Sequence, residues 1–285
     1  MGLEMYERVA EEGLFDTPSV ILGTGCSGCG IVMAVQVALP VLGRRTVVAA
    51  PASCLATMGA SPTRSSWKIP FVHSLFESAS ALTSGLRAAY DALGKEGITV
   101  VTFAGDSGTL DIGFQALSGQ ASRNDDVIHI CCDNEVAMNT GGQSSMASPY
   151  GAATLTAPSG VRYFKKDGPA IMAAHRVPYV ATAAVSHPQD FAEKVRRAKE
   201  ISGMRYLHVI TPCPLAWGYE AQQTVEISRL AVESGLWMLY EITREGRRTT
   251  YVPRPRLAVR EYFRSQRRFQ TLADEEIHML QQQVD

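Results

Sequence analysis

Three consecutive stretches decide the fold: Ile98-Thr-Val-Val-Thr-Phe-Ala-Gly-Asp106, Asp111-Ile-Gly-Phe-Gln-Ala-Leu-Ser-Gly-Gln-Ala-Ser-Arg123 and Val127-Ile-His-Ile-Cys-Cys-Asp-Asn134. The first and third open with short, β-branched, continuously apolar runs, as suits parallel strands buried on both faces. The middle stretch puts Ile112, Ala116, Leu117 and Gln120 on successive turns of a predicted helix. The unit is therefore strand–helix–strand, and its polar residues fall where the strands end. Open α/β sheets bind ligands at those carboxyl ends. An aspartate (Asp106) and an amide oxygen (Asn134) meeting there, beside Gly105, which leaves room for a phosphate, form a seat for Mg²⁺ on a diphosphate.

Four cysteines add a second chemistry. Cys26 and Cys29 lie in Gly25-Cys-Ser-Gly-Cys-Gly30, Cys54 in Pro51-Ala-Ser-Cys54, and Cys213 in Thr211-Pro-Cys-Pro214. Gly28 and Gly30 let the backbone fold around a bound group and aim N–H donors at sulfur. Four thiolates in this layout hold either zinc or an iron–sulfur cluster.

The spacing from Asp106 to Asn134 resembles the thiamine diphosphate motif. Taken with the cysteines, the chain resembles the thiamine-diphosphate-binding β subunits of the 2-oxoacid:ferredoxin oxidoreductases, the pyruvate enzyme among them. The resemblance rests on GCSGCG at 25–30, GDSGTLDIGFQALSGQASR at 105–123, CDNEVAMNTGGQSS at 132–145, SPYGA at 148–152, YVATAAVSHP at 179–188 and HVITPCPLAWGY at 208–219. These segments run through roughly the first 240 residues. The chain departs from the commoner family wording at Ser27, where proline is usual, and at Ser107, where glycine is usual.

That resemblance implies a doubly wound, mostly parallel α/β sheet and a domain over 1–240, while the shift in composition after Glu241 reads as an extended C-terminal arm over 241–285 docking on a partner subunit. It implies a [4Fe–4S] cluster on Cys26, Cys29, Cys54 and Cys213. It also implies Mg²⁺ on Asp106, the Asn134 side chain and the Val136 carbonyl. Gly105, Ser107, Thr140 and Gln143 would line the diphosphate, and Asn139 would lie near the reactive carbon. The expected activity is oxidative decarboxylation of a 2-oxoacid, with pyruvate the first choice and oxalate, phenylglyoxylate and other 2-oxoacids as alternatives. Electrons would pass through the cluster to ferredoxin, and the acyl group to an acceptor such as coenzyme A. Thiamine enzymes need a glutamate at the aminopyrimidine, which in this family comes from the α subunit, so activity is expected only with α-, γ- and δ-type partners.

Composition is compatible with this. With 285 residues, 46% apolar and 19% charged, the chain has enough for a large buried core. A net charge of −1 gives no reason to expect nucleic-acid binding. Six cysteines without a signal-peptide pattern point to a reducing cytoplasm and ligand-holding thiols. No apolar stretch approaches the roughly 20 residues that span a bilayer.

Further elements are predicted as helices over 30–42, 76–93, 188–201 and 272–282, and strands over 46–50, 179–186 and 206–210. Residues 1–24 lead in, and 144–178 read as a long functional loop. Residues 244–268 carry nine arginines, which suit subunit docking better than RNA. Cys131 and Cys132 read as packing residues, and His73, His129 and His208 as hydrogen-bonded core or edge histidines. Two rivals stay open: a non-redox thiamine enzyme with structural zinc, and a non-catalytic zinc-stabilised subunit.

Overall fold

The computed structural model describes residues 25–61 and 64–284, so the lead-in expected over 1–24 lies outside the described residues. Eight strands form one sheet: β1 (Thr46–Pro51), β2 (Phe71–Ser74), β3 (Thr99–Gly105), β4 (Ile128–Asp133), β5 (Tyr179–Ala184), β6 (Arg205–Ile210), β7 (Leu239–Thr243) and β8 (Gly246–Tyr251). Their spatial order is β8-β7-β5-β6-β4-β3-β1-β2. The six strands from β5 to β2 pair in parallel, and β7 and β8 add an antiparallel edge.

The helices follow the expected winding. They are α1 (Gly30–Leu42), α2 (Cys54–Met58), α3 (Ala79–Ala92), α4 (Asp106–Leu110), α5 (Phe114–Arg123), α6 (Gly168–Ala174), α7 (Pro188–Glu200), α8 (Pro214–Trp217), α9 (Thr224–Glu233), α10 (Val259–Arg264) and α11 (Asp274–Val284). Both faces of the sheet are covered, which is why β1, β4, β5 and β6 are buried along their whole length. On one face α1 and α7 place Val35, Leu39, Phe191 and Val195 against Val48, Val101, Ile130 and Leu207. On the other, Leu117 and Met172 meet Cys131, Val180 and Tyr206.

Chain ends are set by local chemistry. Helix α7 begins on Pro188, carries Asp190 in its first turn and Arg197 and Lys199 in its last, in keeping with the helix dipole. Helix α5 stops at Asn124, whose left-handed backbone closes it.

The C-terminal segment is not free of the domain. Residues 239–251 extend the sheet as a hairpin, and Val259, Tyr262, Phe263, Phe269, Leu272, Ile277 and Leu280 pack with Trp217, Ile227 and Leu239. What reads in the sequence as an extended arm is, on this face, a wall of the core. Among the described residues no helix is long and apolar enough to cross a membrane.

Candidate functional site

The chain runs from β1 outward to β2, while β3 and β4 continue on the other side. The strand order therefore reverses between β1 and β3, where doubly wound sheets take their ligands. Register brings the strand ends level: Gly105 lies opposite Cys132, and Asp133 opposite Ile210. Residues 52–54, 105–108, 134–140 and 211–213 thus leave the sheet along one edge.

A cavity of about 110 Å³ opens there. It is lined by Cys54, Phe76, Asp106, Ser107, Asn134 and Val136, among others, with Gly105, Asn139 and Thr140 also on its wall. A Cβ at Gly105 would meet nothing within 4 Å, so the protein's own packing does not demand glycine there, whereas a ligand coming close to the backbone would. The buried Ser107 hydroxyl makes no hydrogen bond of normal geometry. Gln143 is not on the cavity wall. It shapes the loop, donating from its side chain to the Thr140 carbonyl at 2.9 Å and accepting from Thr140 Oγ1 at 2.5 Å. The Asn139 amide oxygen accepts a long bond from Thr57 Oγ1 at 3.4 Å.

Asp106 is 2% exposed. Among the described residues its partners are neutral: Ser145 Oγ donates at 2.5 Å, and the Ser107 amide helps. Burial and the nearby Asp133 push its carboxyl well above the usual carboxylate range. The end of the Asn134 side chain lies 2.7 Å from the Val136 carbonyl and 3.1 Å from Asp106 Oδ1. With nitrogen facing them it donates to both. With oxygen facing them, three oxygens converge, an arrangement that needs a cation. Adjacent oxygens of an octahedral Mg²⁺ site with bonds of about 2.1 Å stand about 3.0 Å apart, so the donor set fits that ion.

Behind this seat, every buried charge is answered by the protein. His208 Nε2 lies 2.9 Å from Asp133 Oδ2, and the Glu135 amide donates to Asp133 Oδ1 at 2.8 Å. Burial works against the Asp133 charge, but His208 and Lys165 hold its carboxyl below the ordinary value. Glu135 takes Lys165 Nζ at 2.9 Å and Arg268 at 2.7 Å. Its φ of +60° is left-handed, which costs a non-glycine residue about 1–2 kcal/mol. Arg268 also lies 3.6 Å over the Trp217 ring, whose Nε1 donates to the Asn134 carbonyl at 2.8 Å.

The cysteines gather at the same edge. Gly28, at φ +69°, sits so close to Ala221 that a Cβ would lie 2.2 Å from its carbonyl oxygen, and Thr224 Oγ1 donates to the Gly28 carbonyl at 2.6 Å. The Gly30 amide donates to the Pro212 carbonyl at 3.1 Å. These contacts lay the Cys26–Cys29 loop on the segment that carries Cys213. Cys29 and Cys213 immediately precede α1 and α8. Burial raises both thiols, opposed by the amides of Val32 and Ile31 at Cys29 and of Ala216 and Leu215 at Cys213. Cys54 is pushed up to about 12 by burial and then by Cys29, Cys213 and Cys26. Among the described residues no three His, Cys, Asp or Glu side chains converge as a cage for a single metal ion. Cys131 and Cys132 are buried in β4, and His129 is buried between Ser80 and Thr109, as expected of packing and core residues.

Residues 50–209 match the family described as thiamine pyrophosphate enzyme, C-terminal TPP binding domain. The chain is 48% identical over 266 residues to pyruvate synthase subunit PorB of Methanothermobacter thermautotrophicus, covering 92% of each chain. The chain belongs to the thiamine-diphosphate-binding β subunits of the 2-oxoacid:ferredoxin oxidoreductases. Ketoisovalerate oxidoreductase subunit VorB of Pyrococcus abyssi is 39% identical, over 92% of this chain and 88% of its own. Among solved structures, the 2-oxoglutarate:ferredoxin oxidoreductase from Magnetococcus marinus superposes with a TM-score of 0.59 at 25% identity, over 70% of this chain and 66% of that one.

For a β subunit of this family the expected site residues mostly meet in space, Gln143 standing one layer back. Sequence reading missed Phe76 on the cavity wall, Ser145 on Asp106, Trp217 on Asn134, and the roles of Glu135, Lys165 and Arg268. The one signal available was an acidic residue between two expected Mg²⁺ ligands.

Proposed function

We propose that the chain is the β subunit of a pyruvate:ferredoxin oxidoreductase, acting in the cytoplasm with α-, γ- and δ-type subunits. The reading rests above all on the convergence of the Asn134 side chain, the Val136 carbonyl and Asp106 on a cavity that also reaches Cys54. Pyruvate is preferred because identity to the pyruvate synthase subunit is 48%, against 39% to the ketoisovalerate subunit.

Thiamine diphosphate, when bound, supplies the carbanion chemistry that releases carbon dioxide from a 2-oxoacid. The chain's residues bind and orient. Asp106, the Asn134 amide oxygen and the Val136 carbonyl would hold Mg²⁺, anchoring the diphosphate. The Ser107 hydroxyl would donate to a phosphate oxygen, with Thr140 lining the diphosphate beside it, while Gly105 lets the backbone approach. Asn139 would orient groups near the reacting carbon, and Phe76 and Leu55 keep water from the inner wall. Cys26, Cys29, Cys54 and Cys213 would carry a [4Fe–4S] cluster that passes electrons to ferredoxin, with coenzyme A taking the acyl group. A single zinc ion with bonds near 2.3 Å needs sulfurs about 3.8 Å apart. No three of these side chains close up in that way among the described residues, and amides at two helix starts favour the added negative charge of a cluster. The domain of 1–240 is completed by 241–285, whose outward arginines, Arg247, Arg260 and Arg264 among them, would face a partner.

The complex, purified without oxygen, tests this by visible absorption, low-temperature EPR, and iron, zinc and thiamine analysis. Broad absorption that bleaches on reduction, loss of one cluster's iron in Cys213→Ser, and turnover faster with pyruvate than with 3-methyl-2-oxobutanoate are expected. A colourless, zinc-containing complex would overturn the redox reading.

A further inference from the structure

We propose that Glu135, clamped between Lys165 and Arg268, is a positioning residue that turns the Asn134 side chain and the Val136 carbonyl toward one cation. The inference rests on the reading of Asp106, Asn134 and Val136 as the Mg²⁺ seat and names what sets its geometry.

Glu135 stands between the two ligand residues, yet it does not line their cavity. It borders a second one, of about 160 Å³, with Lys165, Trp237 and Tyr262. Its φ of +60° makes the chain reverse locally, which allows neighbours on either side to face one point. A left-handed glutamate persists only where its surroundings over-determine it. Here they do. The Glu135 amide is fixed on Asp133 Oδ1 at 2.8 Å, and its carbonyl accepts from Ser148 Oγ at 2.7 Å. The preceding carbonyl, that of Asn134, is fixed by Trp217 Nε1 at 2.8 Å. The carboxylate is anchored at both oxygens, Oε1 by Lys165 at 2.9 Å and Oε2 by Arg268 at 2.7 Å.

Those two cations arrive from distant segments, one from the loop before α6 and one from the turn between α10 and α11. Buried ion pairs add little net stability over well-packed apolar groups. What this clamp contributes is therefore geometry, in the manner of groups that hold metal ligands from behind. Arg268 joins the parts, because the guanidinium that grips Glu135 also stacks on Trp217.

The test uses the assembled complex, stripped of cofactor, with thiamine diphosphate binding followed by equilibrium dialysis at increasing Mg²⁺. Glu135→Gln keeps the shape and removes the charge. The half-saturating Mg²⁺ concentration should rise about 10- to 100-fold, while kcat recovers at saturating Mg²⁺. An unchanged Mg²⁺ requirement overturns the inference, and so does a loss of kcat that excess Mg²⁺ fails to restore, which marks a merely structural role. Should Glu135→Gln fail to assemble, Arg268→Lys, which keeps the charge but loses the planar fork, is read in the same way and should show a smaller shift in the same direction. Wild-type complex that binds thiamine diphosphate without Mg²⁺ would sink the cofactor-seat reading itself. A Mg²⁺-dependent wild type with indifferent variants would sink the positioning role alone.

Discussion

Two buried carboxylates at neighbouring strand ends in this fold are treated in opposite ways. Asp133 is met by His208, by Lys165 and by a backbone amide, and its charge is stabilised. Asp106, equally buried, has a serine hydroxyl, an amide and the end of the Asn134 side chain, which donates to it with nitrogen inward and needs a cation between them with oxygen inward. The first carboxylate is finished by the protein. The second meets only neutral groups among the described residues. A folded chain that leaves one acid without a charged partner while answering its neighbour at every oxygen makes the first the candidate ligand site.

The largest effect should come from breaking this contrast at Asp106. Asp106→Asn should weaken Mg²⁺-dependent thiamine diphosphate binding at least about 100-fold, beyond the usual cost of losing a supporting group. The same variant should raise the melting temperature of the cofactor-free protein. A carboxyl whose pKa is raised on folding opposes the fold at neutral pH, and its removal relieves that. Equilibrium dialysis and calorimetry on one preparation would read both.

Asp133→Ala should do the reverse. It leaves Lys165 and His208 without their shared acid and should destabilise the chain by about 3–5 kcal/mol, read from denaturant midpoints. Equal stability losses at Asp106 and Asp133 would erase the distinction.

Next in size is Trp217→Phe, which keeps the ring under Arg268 but strips the donor from the Asn134 carbonyl. A buried acceptor left unmet costs about 1–3 kcal/mol, and Mg²⁺ affinity should fall with it.

The last effect vanishes at neutral pH and grows only as pH falls. Burial, followed by the nearby His208, lowers His129 to about 3. Its neutral form is favoured by the fold, so its contribution is fully present above the unfolded value near 6.5 and is lost as pH falls toward 3. Stability should drop by about 1.4 kcal/mol per pH unit inside that window, and His129→Gln should remove that part of the slope.

The parallel strands were legible because burial on both faces leaves continuous apolar runs, and the ligand residues because they follow those runs directly. The hairpin 239–251 was not, since its edge strand is exposed and arginine-rich and has no apolar pattern. Nor was α10, whose few apolar residues are hidden among arginines, whereas the acidic helix read over 272–282 is α11. The Glu135 clamp was beyond sequence reasoning, because its partners lie 30 and 133 positions away and only the fold brings them together. Gln143 shows the limit from the other side: its place in a cofactor-like run of small residues was visible, but not its turn toward Thr140.

The central claim is tested most directly by a structure of the complex with thiamine diphosphate and Mn²⁺ in place of Mg²⁺, locating the ion by anomalous scattering. The account predicts one peak bonded to Asp106 Oδ1, the Asn134 amide oxygen and the Val136 carbonyl. An ion bound elsewhere, with the Asn134 nitrogen still donating to Asp106, would contradict it.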